Sequence, residues 1–70
     1  MNKQINKGKW REVKGLIRES WGDITEDELE KTNGNIDQII GKIQSHYGDS
    51  LDKVSKRVNS ILQEVNKSIS

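Results

Sequence analysis

Three groups of side chains in this 70-residue chain are of types that could do chemistry. They are a lone histidine, His46, a run of acids between Asp23 and Glu30, and a row of bases near the start of the chain. A histidine titrates near neutral pH and ligates metals, clustered carboxylates bind divalent cations, and a basic row contacts phosphates. Each group also has an ordinary structural explanation. The spacing of its residues decides between the chemical and the structural explanation.

The acidic run lacks the spacing of a calcium-binding loop, which needs acids at alternate positions, a central glycine and a terminal glutamate. Its members are Asp23, Glu26, Asp27, Glu28 and Glu30. They suit the positive end of a helix, because Thr25 and Glu28 have capping-box spacing. His46 is the only histidine and could at most titrate or contribute one metal bond, and no Ser or Cys nucleophile constellation accompanies it. We therefore expect a histidine at the rim of the core. The sequence therefore offers no catalytic, metal-ligating or cofactor-binding residue.

The basic row supplies the candidate partner-binding residues, which are Lys7, Arg11, Lys14 and Arg18. Their spacing of four, three and four places them within about a 60° wedge of one helix, beside the tryptophans. Such a face could bind nucleic acid, an anionic membrane surface or a protein. It could equally face solvent or pair with acids of the same chain.

The uneven distribution of charge favours pairing within the chain. Residues 1–18 hold six bases and one acid, residues 19–30 hold six acids and no base, and the net charge is only +1. A basic first helix could therefore dock on an acidic second one. We regard a solvated or internally paired face as the better interpretation of the basic row.

The apolar periodicity and the residues that start and stop helices predict an all-α fold, a small bundle of about four short helices. The predicted helices cover residues 9–21, 26–33, 36–47 and 51–69. Gly22 is predicted as a left-handed C-cap, and Gly34 and Gly48 as the ends of the second and third helices. Thr25, Asn35 and Ser50 are predicted N-caps. We expect one domain over residues 1–70, in which residues 1–7 form a flexible tail.

A repeat relates the first and third helices, because the pattern from Val13 to Asp23 returns from Ile39 to Asp49. Its shared features are structural, and the positions expected to shape the bundle are Trp10, Gly15, Trp21, Gly22, Gly34, Gly41, Tyr47 and Gly48. A glycine inside a helix costs about 1 kcal/mol relative to alanine. We therefore expect Gly15 and Gly41 to permit the close approach of a neighbouring helix.

The composition predicts a thin core, since only 30% of residues are hydrophobic and 33% are charged. The fourth helix is longer than the others, so Val65 and Ile69 are expected to fray or to meet another subunit, giving a monomer or a weak homodimer through the end of this helix. The absence of an apolar leader and of cysteine favours the cytoplasm.

Several segments together resemble the CsbD-like family of small bacterial proteins, over about residues 8–60. They are Lys9-Trp10, Lys14-Gly15, the stretch from Glu19 to Leu29, Gly34, and the stretch from Asp37 to Gly48. The resemblance implies a small helical bundle in the bacterial cytoplasm, associated with the general stress response and without catalytic residues. We thus expect a non-enzymatic protein that contacts or protects other macromolecules, with no small-molecule substrate. The alternative is an adaptor that binds a protein or an anionic partner through the basic face.

Overall fold

The structure, a computed structural model, describes residues 4–67, and this part of the chain contains four helices. They are α1 (Lys7–Ser20), α2 (Glu26–Glu30), α3 (Ile36–Tyr47) and α4 (Leu51–Lys67). Helix α4 packs against both α1 and α3, and the short α2 packs against α1. The predicted all-α fold is confirmed.

One apolar cluster lies between the helices. Helix α4 contributes a face of three-four spacing, and the other helices, two residues of the α1–α2 loop and one residue before α1 complete the cluster. Its buried members are Ile5, Val13, Ile17, Trp21, Ile24, Leu29, Ile39, Ile43, Val54, Val58, Ile61 and Val65. Each helix thus has one apolar face, and its remaining faces are free to carry polar groups.

Most helix ends have the caps that the sequence predicts. The Thr25 hydroxyl accepts from the Glu28 amide, the Asn35 side chain accepts from the Gln38 amide, and the Lys53 amide donates to Ser50 Oγ. Gly48 ends α3 in the left-handed conformation, with φ of +67°. These ends depend on residues close in sequence, which is why local patterns predict them.

Three helix boundaries differ from the prediction. Helix α1 begins at Lys7 because the Asn6 side chain caps it, and its C-cap is Trp21 rather than a left-handed Gly22. Helix α2 ends at Glu30, since the next turn tightens through i to i−3 bonds and then turns left-handed at Asn33 and Gly34. The end predicted for the fourth helix, residue 69, lies outside the described residues.

The expectation that Gly15 and Gly41 admit a neighbouring helix is wrong. Both glycines are exposed, and a Cβ built on either would meet nothing within 4 Å. The cause is their position on the helix, since Gly15 lies about 160° around α1 from Ile17 and Gly41 about 160° around α3 from Ile39, at about 100° per residue. These two glycines face solvent, and no neighbouring helix requires them.

The expectation for Val65 is also wrong, since its side chain is buried at 1% exposure within this chain. The N-terminal segment covers the end of α4, where Ile5 and Asn6 line a cavity together with Val65 and Leu62. The expected flexible tail therefore differs from the structure at residues 4–7, because Ile5 is buried and Lys7 belongs to α1.

Candidate functional site

Half of the predicted basic row pairs with acids of α2. Lys14 Nζ lies 3.4 Å from Glu26 Oε2 and 3.1 Å from Glu30 Oε1, and Arg18 Nη1 lies 3.6 Å from Glu26 Oε1. The Lys14 side chain is only 13% exposed. Part of the basic face of α1 is therefore used to dock α2, as the charge distribution indicates.

Trp10 joins this contact through its polar edge. Its indole N–H donates to Glu30 Oε1 at 3.0 Å, and Lys14 Nζ lies 5.6 Å from the centroid of its ring. The indole N–H and the Lys14 ammonium stabilise the ionised carboxylate and hold the pKa of Glu30 below its ordinary value. Trp10, a position expected to shape the bundle, thus also holds Glu30 of α2 by a hydrogen bond.

The other half of the basic row does not form a continuous open patch with the first. Lys7 lines a surface cavity of about 380 Å³ together with Trp10 and Glu30, while Arg11 is exposed on the outer side of α1. Lys14 and Arg18, the two bases that face α2, are paired with its carboxylates. The structure thus brings all four candidates onto α1, but acids of α2 interrupt the positive face.

The last turn of α3 forms a second polar contact, with the α1–α2 loop and α2. His46 Nε2 lies 2.6 Å from Glu28 Oε2, and the Tyr47 hydroxyl accepts from the Asp23 amide at 3.0 Å. Tyr47, one of the positions expected to shape the bundle, is 36% exposed and so is only partly buried. His46 is a partly exposed histidine at the rim of the core, and its partner is Glu28. From the sequence, Glu28 is expected only in the capping box.

Glu28 uses both carboxylate oxygens. Its Oε1 accepts from the Thr25 amide at 3.1 Å, while Oε2 contacts His46. The hydrogen bond to His46 and then the bond from the Thr25 backbone favour the ionised form, and they lower the pKa of Glu28 from 4.5 to about 2. One carboxylate therefore caps α2 and holds it to α3.

The N-terminal segment is the feature that sequence reasoning missed. The Ile5 amide donates to the Gly34 carbonyl at 2.9 Å, and Gln4 forms an antiparallel bridge with Asn35. The Gln4 side-chain amide also donates to the Asn33 carbonyl at 2.7 Å. We call residues 4–6 the N-terminal strap, because they cross the α2–α3 turn in an extended conformation and bury Ile5.

Two surface cavities flank the N-terminal strap, and Gln4 and Ile5 line both. One, of about 190 Å³, has an aliphatic lining that includes Val13, Ile36 and Leu62. The other is the cavity of about 380 Å³ beside Trp10. The strap thus separates two openings onto the apolar cluster.

Little in the sequence pointed to this arrangement. Ile5 is a single apolar residue in a polar segment and has no period. The pair Asn33-Gly34 predicts a turn, but a turn does not reveal which chain lies across it. The signal that was available is the isolated isoleucine itself.

Within residues 4–67, no group of three or more histidine, cysteine or acidic side chains is placed to hold a metal ion. None of the helices in this part of the chain has both the length and the apolar character needed to cross a bilayer. The contacts found here hold helices together and shape a surface groove.

Fold and contacts together define a small all-α protein whose helices are joined by a thin apolar cluster and by polar side-chain contacts. The CsbD-like family model matches residues 4–56, and the chain belongs to this family. It is 40% identical over 58 residues to UPF0337 protein PA4738 of Pseudomonas aeruginosa, covering 83% of this chain and 89% of that relative.

Two further relatives have a comparable sequence identity to this chain. The chain is 41% identical over 58 residues to UPF0337 protein YjbJ of Escherichia coli (strain K12), covering 83% of this chain and 84% of that relative. It is 36% identical over 67 residues to UPF0337 protein Bd3330 of Bdellovibrio bacteriovorus, covering 96% of this chain and 72% of that relative. No solved structure matches the chain with significance.

Proposed function

We propose that this chain is a non-enzymatic protein of the bacterial stress response, which acts in the cytoplasm by weak contact with other macromolecules and so protects them. Membership of the CsbD-like family is the context of this proposal. The proposed contacts are direct and reversible, and they require no small-molecule substrate.

The observation that carries the proposal is the pair of solvent-facing glycines inside helices. Gly15 and Gly41 have open space where a side chain would be, so packing does not require glycine at either position. Each nevertheless costs about 1 kcal/mol of helix stability. In a chain of 70 residues with a small core, this cost keeps the fold close to local opening, which favours adjustable contact with many partners.

The character of the surface supports the same function. A third of the residues are charged, and the large hydrophobic side chains exposed among residues 4–67 are Tyr47 and Leu51. A protein with so little exposed apolar surface stays dissolved when others aggregate. It can then act at high concentration during dehydration or heating.

The alternative is an adaptor that binds an anionic partner through the basic face of α1. Lys7 and Arg11 favour it, but the pairing of Lys14 and Arg18 with α2 weakens it. An adaptor of this kind would bind DNA or anionic vesicles with an affinity that falls steeply as salt rises. Protection without such salt dependence supports the first function.

The test is protection of lactate dehydrogenase through drying or freezing and thawing. We expect the wild-type protein to preserve more enzyme activity than an equal mass of serum albumin. The matched control is Val58→Asp, which buries a charge at a position of 0% exposure and so unfolds the chain. No protection by the wild type, or equal protection by the unfolded variant, would contradict the proposed role of the folded protein.

A further inference from the structure

The groove occupied by the N-terminal strap comprises the backbone of Gly34 and Asn35 and the two flanking cavities. We propose that this groove is a docking site for an extended, apolar segment of a non-native protein chain, and that residues 4–6 occupy it in the absence of such a partner. This inference rests on the proposed protective function and names the partner that the protein contacts.

The strap is held by main-chain contacts at an isolated antiparallel β-bridge, beside the turn between α2 and α3. Its backbone contributes the bond from the Ile5 amide to the Gly34 carbonyl, and its bridge to Asn35 is antiparallel. Gly34 has no side chain and a φ of +78°, and a Cβ there would lie 3.5 Å from the Ile5 carbonyl oxygen. A Cβ at this distance would make only an ordinary contact, so the positive φ of the turn, and not the space, favours glycine at this position. The main-chain bond from the Ile5 amide is itself independent of the bound sequence.

The side chain that enters the groove is apolar. Ile5 is 8% exposed and belongs to the apolar cluster, although its neighbours Gln4 and Asn6 are exposed. An extended segment from another protein could supply an equivalent apolar residue at the same position. The site thus selects for an extended backbone and one apolar side chain, which non-native chains expose and folded proteins bury.

The groove has room for more than the strap fills. The cavities on its two sides measure about 190 and 380 Å³ and reach the aliphatic side chains of α4 and the ring of Trp10. The residues before and after the anchor point away from the core, as the exposed Gln4 and Asn6 do, whereas Ile5 itself lines both cavities. A larger apolar side chain at the anchor position would therefore extend into these cavities. A partner with a bulkier apolar residue at this position could displace the strap.

Occupation by the strap also explains why such a site would bind weakly. The apparent affinity of a site is reduced by the fraction of molecules in which it is open. In the absence of a partner, the strap covers the groove, so the apolar surface of the groove is not exposed to other copies of the protein. The groove opens only when a partner at high concentration displaces the strap.

The first experiment locks the strap in place. The double substitution Gln4→Cys and Asn35→Cys joins antiparallel bridge partners, whose Cα atoms lie about 4.5–5.5 Å apart, within the range of a disulfide. The chain has no cysteine of its own, so a single bond forms. The probe is a fluorescein-labelled peptide of residues 2–7, and the matched control peptide has aspartate at the position of Ile5.

We expect the reduced variant to bind the isoleucine peptide at least about tenfold more tightly than the oxidised variant, because the disulfide keeps the groove occupied. The aspartate peptide should bind neither form. Equal affinity of the oxidised and reduced forms, or equal binding of the two peptides, would overturn the docking site.

A second variant guards against a disulfide that disturbs the fold. Ile5→Ala, in the otherwise unchanged chain, weakens the strap, so its peptide affinity should exceed that of the wild type by about tenfold. Circular dichroism checks that it remains helical. An affinity no higher than that of the wild type would count against the displacement of the strap by a partner.

Protection of lactate dehydrogenase separates this inference from the proposed function. If oxidised and reduced forms protect equally, the groove is not where clients bind, although the protective function stands. If the wild type protects nothing but peptide binding responds to the disulfide, the docking site stands and the protective function fails.

Discussion

At the residue scale, Glu28 connects two parts of the fold with one carboxylate. It caps α2 through the Thr25 amide and holds α3 through His46. Both contacts favour its ionised form, which is why its pKa falls to about 2. The contact between α2 and α3 therefore depends on the charge of this residue.

This dependence predicts how acid affects stability. Because the pKa of Glu28 is lower in the folded state than its ordinary 4.5, its contribution is complete above that value and is lost as pH falls towards 2. Glu28→Gln keeps the capping-box geometry but removes the charge. We expect the variant to be less stable than the wild type at pH 5, and the difference to shrink steadily between pH 4.5 and pH 2.

Urea unfolding followed by circular dichroism at several pH values measures this difference. Glu64→Gln, at an exposed position of α4, is the control and should show no comparable trend. A difference between wild type and Glu28→Gln that stays constant down to pH 2 would refute the assignment of the low pKa to this contact.

A second prediction at this scale concerns Lys14 and Arg11, which are three residues apart on α1. Lys14 contacts two carboxylates and the Trp10 ring, whereas Arg11 is exposed. We expect Lys14→Gln to lower the free energy of unfolding by about 0.5–1 kcal/mol and Arg11→Gln to change it by less than about 0.5 kcal/mol. Urea titrations at low salt and in 1 M NaCl test this, since screening should reduce the effect of the first substitution. Equal effects of both substitutions would show that α2 does not depend on the pairing with Lys14.

At the scale of elements, glycines with different backbone conformations should respond in opposite ways to alanine. Gly15 and Gly41 are helical and have open space, so alanine at either should raise the free energy of unfolding by about 0.5–1 kcal/mol. Gly34 and Gly48 have positive φ, so alanine there should lower it by about 1–2 kcal/mol. Thermal unfolding of the four single variants measures all these changes. Destabilisation by Gly15→Ala or Gly41→Ala would mean that these helix faces make a contact within the fold.

The same elements show how far sequence reasoning reaches. Helix α3 was predicted with its observed bounds, because its Asn35 cap and its Gly48 end are local signals. Gly22 was misassigned because a glycine after a helix need not be left-handed; here the chain leaves α1 through Trp21. The strap was missed because the burial of Ile5 depends on Gly34, far along the chain, and has no local period.

The pairing of charges between α1 and α2 was predicted from the sequence, but the pairing between α3 and α2 was not. The spacing of bases and acids indicated correctly that α1 and α2 carry opposite charge, and the structure shows Lys14 between two acids. The pairing of His46 with Glu28 could not be predicted, because it depends on how the end of α3 lies against α2. Tertiary placement decides which charged residues remain available to a partner.

At the scale of the whole molecule, the fold combines a small apolar cluster with a highly charged surface and a covered groove. These features fit a protein that stays folded and dissolved while making weak contacts. The solvent-facing glycines favour local opening over maximal stability, whereas the N-terminal strap covers the groove by burying Ile5. Stabilising substitutions at Gly15 and Gly41 are therefore expected to reduce protection while raising the melting temperature.

The most direct test of this account is the amide proton–nitrogen NMR spectrum of the labelled protein, with and without excess reduced, carboxymethylated α-lactalbumin, a permanently unfolded chain. We expect peaks to stay at folded positions while residues of the strap and groove, such as Ile5 and Gly34, lose intensity selectively. Native α-lactalbumin should leave the spectrum unchanged. An unchanged spectrum with the unfolded chain would contradict the claim that this folded protein contacts non-native partners.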